Sequence, residues 1–201
     1  MYPVLLKIGG ITIHTYGVLH ALGFLSGIWI ARREAGRIGE NPKNIMDLSV
    51  HIFISSLIGA RVFFILFDGH LQSYLESPAD VFKVWEGGLT YYGGFIFGVL
   101  ISIWYTRKHR LNFWRTADII APAIAIGIAI SRFGCFASGD SYGKPTALPW
   151  GVTFSSSHSL APTGIPLHPT QLYSVLSNFL IFLVLMALRK SKRFEGELIL
   201  L

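Results

Sequence analysis

Five stretches of this chain stay apolar for long enough to matter in a bilayer, and each is bounded by polar or turn-forming residues. They run over roughly 14–31, 45–67, 89–106, 116–136 and 172–188, and a sixth apolar run starts near Glu197. A helix needs about 20 predominantly apolar residues to cross a hydrocarbon core, and these runs approach that length. Backbone polar groups in lipid must be satisfied within the segment, so each run predicts a helix. The expected fold is all-α: a polytopic transmembrane bundle with five full spans and the start of a sixth.

Composition agrees with that solvent. Hydrophobic residues make up 52% of the chain and charged residues 14%, against about 25% charged in a typical soluble domain. The formal charge of +6 would suit a nucleic-acid binder, but the positions of the cations argue for topology instead. Twelve of the 17 Lys and Arg residues follow the first, third and fifth runs: Arg32, Arg33, Arg37 and Lys43, then Arg107, Lys108, Arg110 and Arg115, then Arg189, Lys190, Lys192 and Arg193. The alternate segments hold one lysine each, Lys7, Lys83 and Lys144, while Arg61 and Arg132 remain at membrane depth. Positive charge collects on the cytoplasmic side, so the N-terminus is expected outside. No role for nucleic acid follows.

A single cysteine, Cys135, excludes an internal disulfide framework. The first run lacks a basic leader and a small-residue cleavage site, so it is expected to be retained. With no repeat and no linker, residues 1–201 are expected to form one transmembrane domain. The closing "RFEGELILL" enters a new apolar segment and stops at Leu201, too early to cross, so either the native protein continues or this is a fragment.

Ionisable groups at membrane depth are costly and are functional candidates by default. Tyr16 and His20 share a helix face four residues apart and suit either a site or hydrogen bonding to neighbouring helices. Arg61, in "SSLIGARVFFILFD", suits an anion ligand or a helix-pairing, snorkelling cation. In "WEGGLTYYGGFIFG", glycines bracket Tyr91 and Tyr92. That arrangement allows close backbone approach or free N–H groups for an anion, and the tyrosines fit a pocket wall or an aromatic belt beside Trp85. The fourth run ends in "ISRFGCFASGDSYGKP", with Arg132, Cys135, Asp140 and Gly143. A long outer loop then leads to "GIPLHPTQLY", where Thr170 is placed to cap the fifth run. The inferred topology brings Tyr16, Arg61, Tyr92, Arg132, Asp140 and His168 toward one outer pocket.

Taken in order, "HTYGVLHALGF", "GARVFFILFD", "VWEGGLTYYGG", "SRFGCFASGDSYGKP" and "HPTQLY" resemble the prolipoprotein diacylglyceryl transferase family over the whole chain. The resemblance implies an enzyme of the bacterial inner membrane, multi-pass, with its site toward the outer face. Its substrates would be phosphatidylglycerol and the lipobox cysteine of a prolipoprotein peptide. The diacylglyceryl group would pass to the thiol with release of glycerol phosphate, and neither a cofactor nor a metal is implied.

The implied catalytic residues are Arg132, Tyr16, Tyr92 and Asp140. Substrate binding would involve Arg132, Arg61, Gly143, His168, Gly93 and Gly94. A guanidinium suits a departing phosphate because it is planar, permanently charged and bidentate. Tyr16 and Gly143 match family positions directly. Four positions of the signature depart from it: Ser131 stands at the opening Gly, Cys135 and Ser138 at its two Asn positions, and Asp140 at its Glu. Tyr92 stands where many members have histidine, which leaves the base that activates the thiol unassigned. A non-catalytic lipid-binding relative and a membrane transporter are the alternatives. A transporter would be expected to show inverted repeats, and none is visible.

Overall fold

The computed structural model describes residues 4–8, 11–67, 71–83, 87–156 and 159–201; Trp85 lies outside them. The chain is mostly helical. Its elements are β1 (Val4–Ile8), β2 (Ile11–His14), α1 (Thr15–Arg37), α2 (Pro42–Phe67), α3 (Leu71–Glu76), a 3₁₀ turn (Pro78–Phe82), α4 (Tyr91–Lys108), α5 (Phe113–Ser138), β3 (Val152–Thr153), β4 (Pro166–Leu167), α6 (Thr170–Leu188) and α7 (Glu197–Leu200). Every apolar run is helical, and α2, α5 and α6 are long and apolar enough to cross a membrane.

Two small antiparallel sheets qualify the all-α expectation. β1 pairs with β2 ahead of α1, and β3 pairs with β4 inside the long loop between α5 and α6. This long loop is therefore organised. Phe154, Ala161 and Leu167 are buried together beneath it, with Val152 packed against them. An apolar cluster inside a polar loop supplies the burial that such a segment needs in order to hold one conformation.

The chain divides into two compact units, residues 1–37 with 117–201, and residues 38–116. In the second unit, helix starts carry local caps. The Asn41 side chain accepts the N–H of Lys43 at 3.0 Å, with Pro42 at the first helical position, and Asn112 accepts the N–H of Arg115 at 3.1 Å. Asparagine caps satisfy orphan N–H groups, and proline loses nothing at that first position. α2 and α4 cross at glycine: a Cβ on Gly59 would meet the Gly93 carbonyl at 2.5 Å. Small residues permit backbone contact of this kind between apolar helices.

The first unit has a matching crossing, where a Cβ on Gly23 of α1 would meet the Gly127 carbonyl of α5 at 2.6 Å. At the basic end of this unit the carboxylates are engaged. Glu34 pairs with Arg37 at 2.7 Å and also with Arg189. Asp118 holds Lys192 at 2.9 Å and accepts the N–H groups of Gly196, Leu198 and Ile199. It thus caps α7 from almost eighty residues away in sequence.

Candidate functional site

The segment that joins Arg132 to Asp140 is shaped by how α5 ends. Gly139 takes a left-handed φ of 73°. Its N–H bonds the Phe136 carbonyl at 3.3 Å, and the Asp140 N–H bonds the Cys135 carbonyl at 2.9 Å. This is a Schellman termination, in which glycine takes the left-handed position at no steric cost. It reverses the chain, so Asp140 leaves the helix close to the turn that carries Arg132 and Cys135.

That last turn of α5 presses on the first turn of α1. A Cβ on Gly134 would stand 3.2 Å from the Tyr16 carbonyl, 3.2 Å from Leu19 Cβ and 3.3 Å from His20 Nδ1. The Tyr16 phenol lies within electrostatic reach of Cys135, Asp140 and Arg132. Cys135 likewise lies within electrostatic reach of Arg132 and Asp140. Cys135 itself is buried, which fits a packed thiol of ordinary kind. Among the described residues, Arg132 makes no ion pair with a carboxylate, whereas Glu34, Glu40, Asp80 and Asp118 are each paired elsewhere.

From Asp140 the chain is laced to the segment entering α6. The Gly143 N–H donates to the His168 carbonyl at 3.0 Å, and the His168 N–H donates to the Lys144 carbonyl at 3.0 Å. A Cβ on Gly143 would meet His168 Cβ at 2.7 Å and Thr170 Cγ2 at 2.8 Å, so the close pairing explains the glycine. Gln171, 1% exposed, donates its amide to the Asp140 carbonyl at 2.7 Å. Thr170 does not cap α6: it is the first helical residue, and its hydroxyl donates to the Ser141 carbonyl at 2.6 Å. The need to hold the returning loop has outcompeted local capping. His168 Nδ1 lies 3.1 Å from the Tyr173 hydroxyl, which also accepts the Trp150 indole N–H at 2.8 Å.

Four of the candidates belong to the second unit. Arg61 is 6% exposed and spends its guanidinium on main-chain carbonyls: Nε on Val81 at 3.0 Å, Nη1 on Gly87 and Gly88 at 2.8 and 3.1 Å, and Nη2 on Asp80 at 2.7 Å. Four of its five N–H donors are occupied. Of the two readings open for Arg61, the geometry carries the one in which it holds protein, fastening the segment before α4. Gly93 and Gly94 sit in the first turn of α4 and face Gly59 and Ser56 of α2, which is the close-approach reading. Tyr92 is 71% exposed.

Tyr16, Arg132 and Asp140 are therefore brought together, and His168 and Gly143 are tied to them through the loop. His20 shares the Tyr16 face as its spacing predicts, and Gln171, at the entry to the fifth run, makes a bond 31 residues back that its spacing does not signal. Among the described residues, no group of three His, Cys, Asp or Glu side chains is placed to hold a metal.

The family model described as prolipoprotein diacylglyceryl transferase matches residues 3–201. The chain belongs to the prolipoprotein diacylglyceryl transferase family. It is 36% identical over 197 residues to a phosphatidylglycerol–prolipoprotein diacylglyceryl transferase of Geobacter sulfurreducens, covering 96% of this chain and 74% of that protein. The enzyme of the same name from Nitratidesulfovibrio vulgaris is 35% identical over 201 residues, with 97% and 73% covered. That from Chromohalobacter salexigens is 35% identical over 196 residues, with 96% and 71% covered. Gly143, matched by the resemblance to the closing glycine of the signature, has its physical reason in the close approach of His168 and Thr170.

Proposed function

We propose that this chain transfers the diacylglyceryl group of phosphatidylglycerol to the lipobox cysteine thiol of a prolipoprotein, releasing glycerol phosphate. The observation that carries this reading is Arg132 at the end of α5. It lies within electrostatic reach of Tyr16 and Cys135 and makes no carboxylate ion pair among the described residues. A guanidinium at membrane depth is costly, and an anionic lipid headgroup would give it a direct oxyanion partner.

The sulfur attacks the glycerol carbon that bears the phosphate ester, the C–S bond forms, and the C–O bond breaks with its electron pair on the departing phosphate. Charge grows on the phosphate oxygen as that bond opens. A fixed guanidinium in a water-poor site stabilises this charge with little reorganisation. Tyr16 orients the headgroup, Asp140 sets the Arg132 environment, and Gly143 with His168 shapes the lip of the site. Within the second unit, Arg61, Gly93 and Gly94 hold the α2–α4 end in shape, and Tyr92 stands exposed at the start of α4. The charge pattern supports five spans with the N-terminus outside, and an enzyme of the bacterial inner membrane working at its outer face.

The test uses radiolabelled phosphatidylglycerol and a lipobox peptide. Arg132→Ala is expected to abolish thioether formation, and Arg132→Lys to keep a small fraction, since lysine lacks the bidentate fork. Full transfer by Arg132→Ala would remove the central role.

A further inference from the structure

The transfer needs a thiolate, and a free thiol holds its proton at neutral pH. Some group must take that proton, and the hydrogen-bond geometry of α1 singles one out. His20 Nδ1 lies 2.9 Å from the carbonyl oxygen of Tyr16. A carbonyl only accepts, so Nδ1 carries the hydrogen, and in the neutral ring Nε2 carries a free lone pair. The tautomer is set by the main chain of the same helix.

The position of this imidazole gives the tautomer its meaning. Its ring lies against Tyr16 with centroids 3.9 Å apart and the two planes tilted by 33°. Its Nδ1 edge packs against Gly134, which lies between Arg132 and Cys135 on α5. The charged and titratable groups around this corner are Tyr16 from α1, Arg132 and Cys135 from α5, and Asp140 beyond its end. The other groups fit the task less well. One Asp140 carboxylate oxygen already accepts the Ser141 N–H at 2.7 Å, which spends part of its accepting capacity on the loop. His168 Nδ1 faces a hydroxyl that both donates and accepts, so no tautomer is fixed there.

We propose that His20 is the general base of this chain, accepting the thiol proton of the incoming cysteine at Nε2. This rests on the transferase reading above. The S–H proton passes to Nε2 as the sulfur pair forms the C–S bond and the C–O pair leaves on glycerol phosphate. The imidazolium, held by the Tyr16 carbonyl at its other nitrogen, then returns the proton to the departing phosphate or to water. No oxidant or further reactant enters.

The experiment measures thioether formation from phosphatidylglycerol and a lipobox peptide across pH 5.5–9.5 with the full chain. The variants are His20→Ala and His20→Phe, the latter keeping a ring against Tyr16. General-base catalysis contributes about 10²–10⁴-fold, so both variants are expected to lose kcat by roughly that factor with little change in KM. Their remaining rate should climb with pH as the peptide thiol ionises by itself. Added imidazole should restore at least about tenfold in His20→Ala, where space is opened, and not in His20→Phe.

A His20→Phe variant with wild-type kcat would overturn the assignment. So would a loss in His20→Ala that imidazole leaves unmoved and whose pH profile matches the wild type, which is the signature of a packing role. A wild-type chain that forms no thioether at any pH would instead refute the transferase reading, and the base with it.

Discussion

Replacing Asp118 with alanine is expected to free the start of α7 while leaving the rest of its unit folded. The carboxylate is 4% exposed and has four donors: Lys192 Nζ at 2.9 Å and Gly196 N–H at 2.8 Å on Oδ2, and Leu198 N–H at 2.9 Å and Ile199 N–H at 3.3 Å on Oδ1. Breaking a buried ion pair by removing one partner costs about 3–5 kcal/mol. Lys192 keeps 22% side-chain exposure and regains some water, so the lower end, about 3 kcal/mol, is the appropriate figure. The Gly196 and Leu198 N–H groups lose their acceptor as well, and each buried orphan costs about 1–3 kcal/mol unless the segment opens to water. Opening is therefore the cheaper outcome.

A change of about 3 kcal/mol corresponds to roughly a hundredfold in the opening equilibrium. Amide hydrogen exchange on the purified protein, read on peptides covering 193–200, should accelerate by about that factor. Peptides within 119–131 should hold their protection. Asp118→Asn keeps one acceptor oxygen but turns an amide N–H₂ toward Lys192 and Gly196, so its exchange should fall between parent and alanine. Exchange at 196–199 within threefold of the parent in Asp118→Ala would show that the carboxylate does not hold this segment, and the reasoning would fail.

Two other predictions rest on geometry of the same kind. Gly143→Ala places a methyl 2.7 Å from His168 Cβ, which should cost about 1–3 kcal/mol by overpacking, lower the thermal midpoint, and reduce transfer more than binding of phosphatidylglycerol. Arg61→Lys keeps the charge but cannot reproduce four separate N–H bonds to carbonyls; limited proteolysis between 77 and 88 should speed up, and unchanged cleavage would return Arg61 to the list of free anion ligands.

Much of this molecule was legible in the residues because the relevant physics is local. Helix positions follow from apolar runs, and the runs at 45–67 and 172–188 became α2 (Pro42–Phe67) and α6 (Thr170–Leu188). The boundaries moved outward because the bilayer limits the apolar stretch, whereas caps such as Asn41 and Asn112 decide where the hydrogen-bond ladder begins. Gly139 ahead of Asp140 is likewise a local stop signal. The ordered chain of motifs also identified the family from sequence alone.

Other features had no local signature. That Arg61 would be taken up by the carbonyls of 80–88, that Asp118 would cap a helix nearly eighty residues on, and that Thr170 would bond Ser141 in place of capping all depend on which distant main-chain groups arrive beside them. The same holds for His20: a histidine four residues after a tyrosine states a shared face, but only the folded backbone shows which ring nitrogen the carbonyl claims and which is left bare. Sequence periodicity fixes the face a side chain presents. The partner it meets there is chosen by tertiary packing, because hydrogen bonds are short and directional and each buried donor must find an acceptor wherever the fold delivers one.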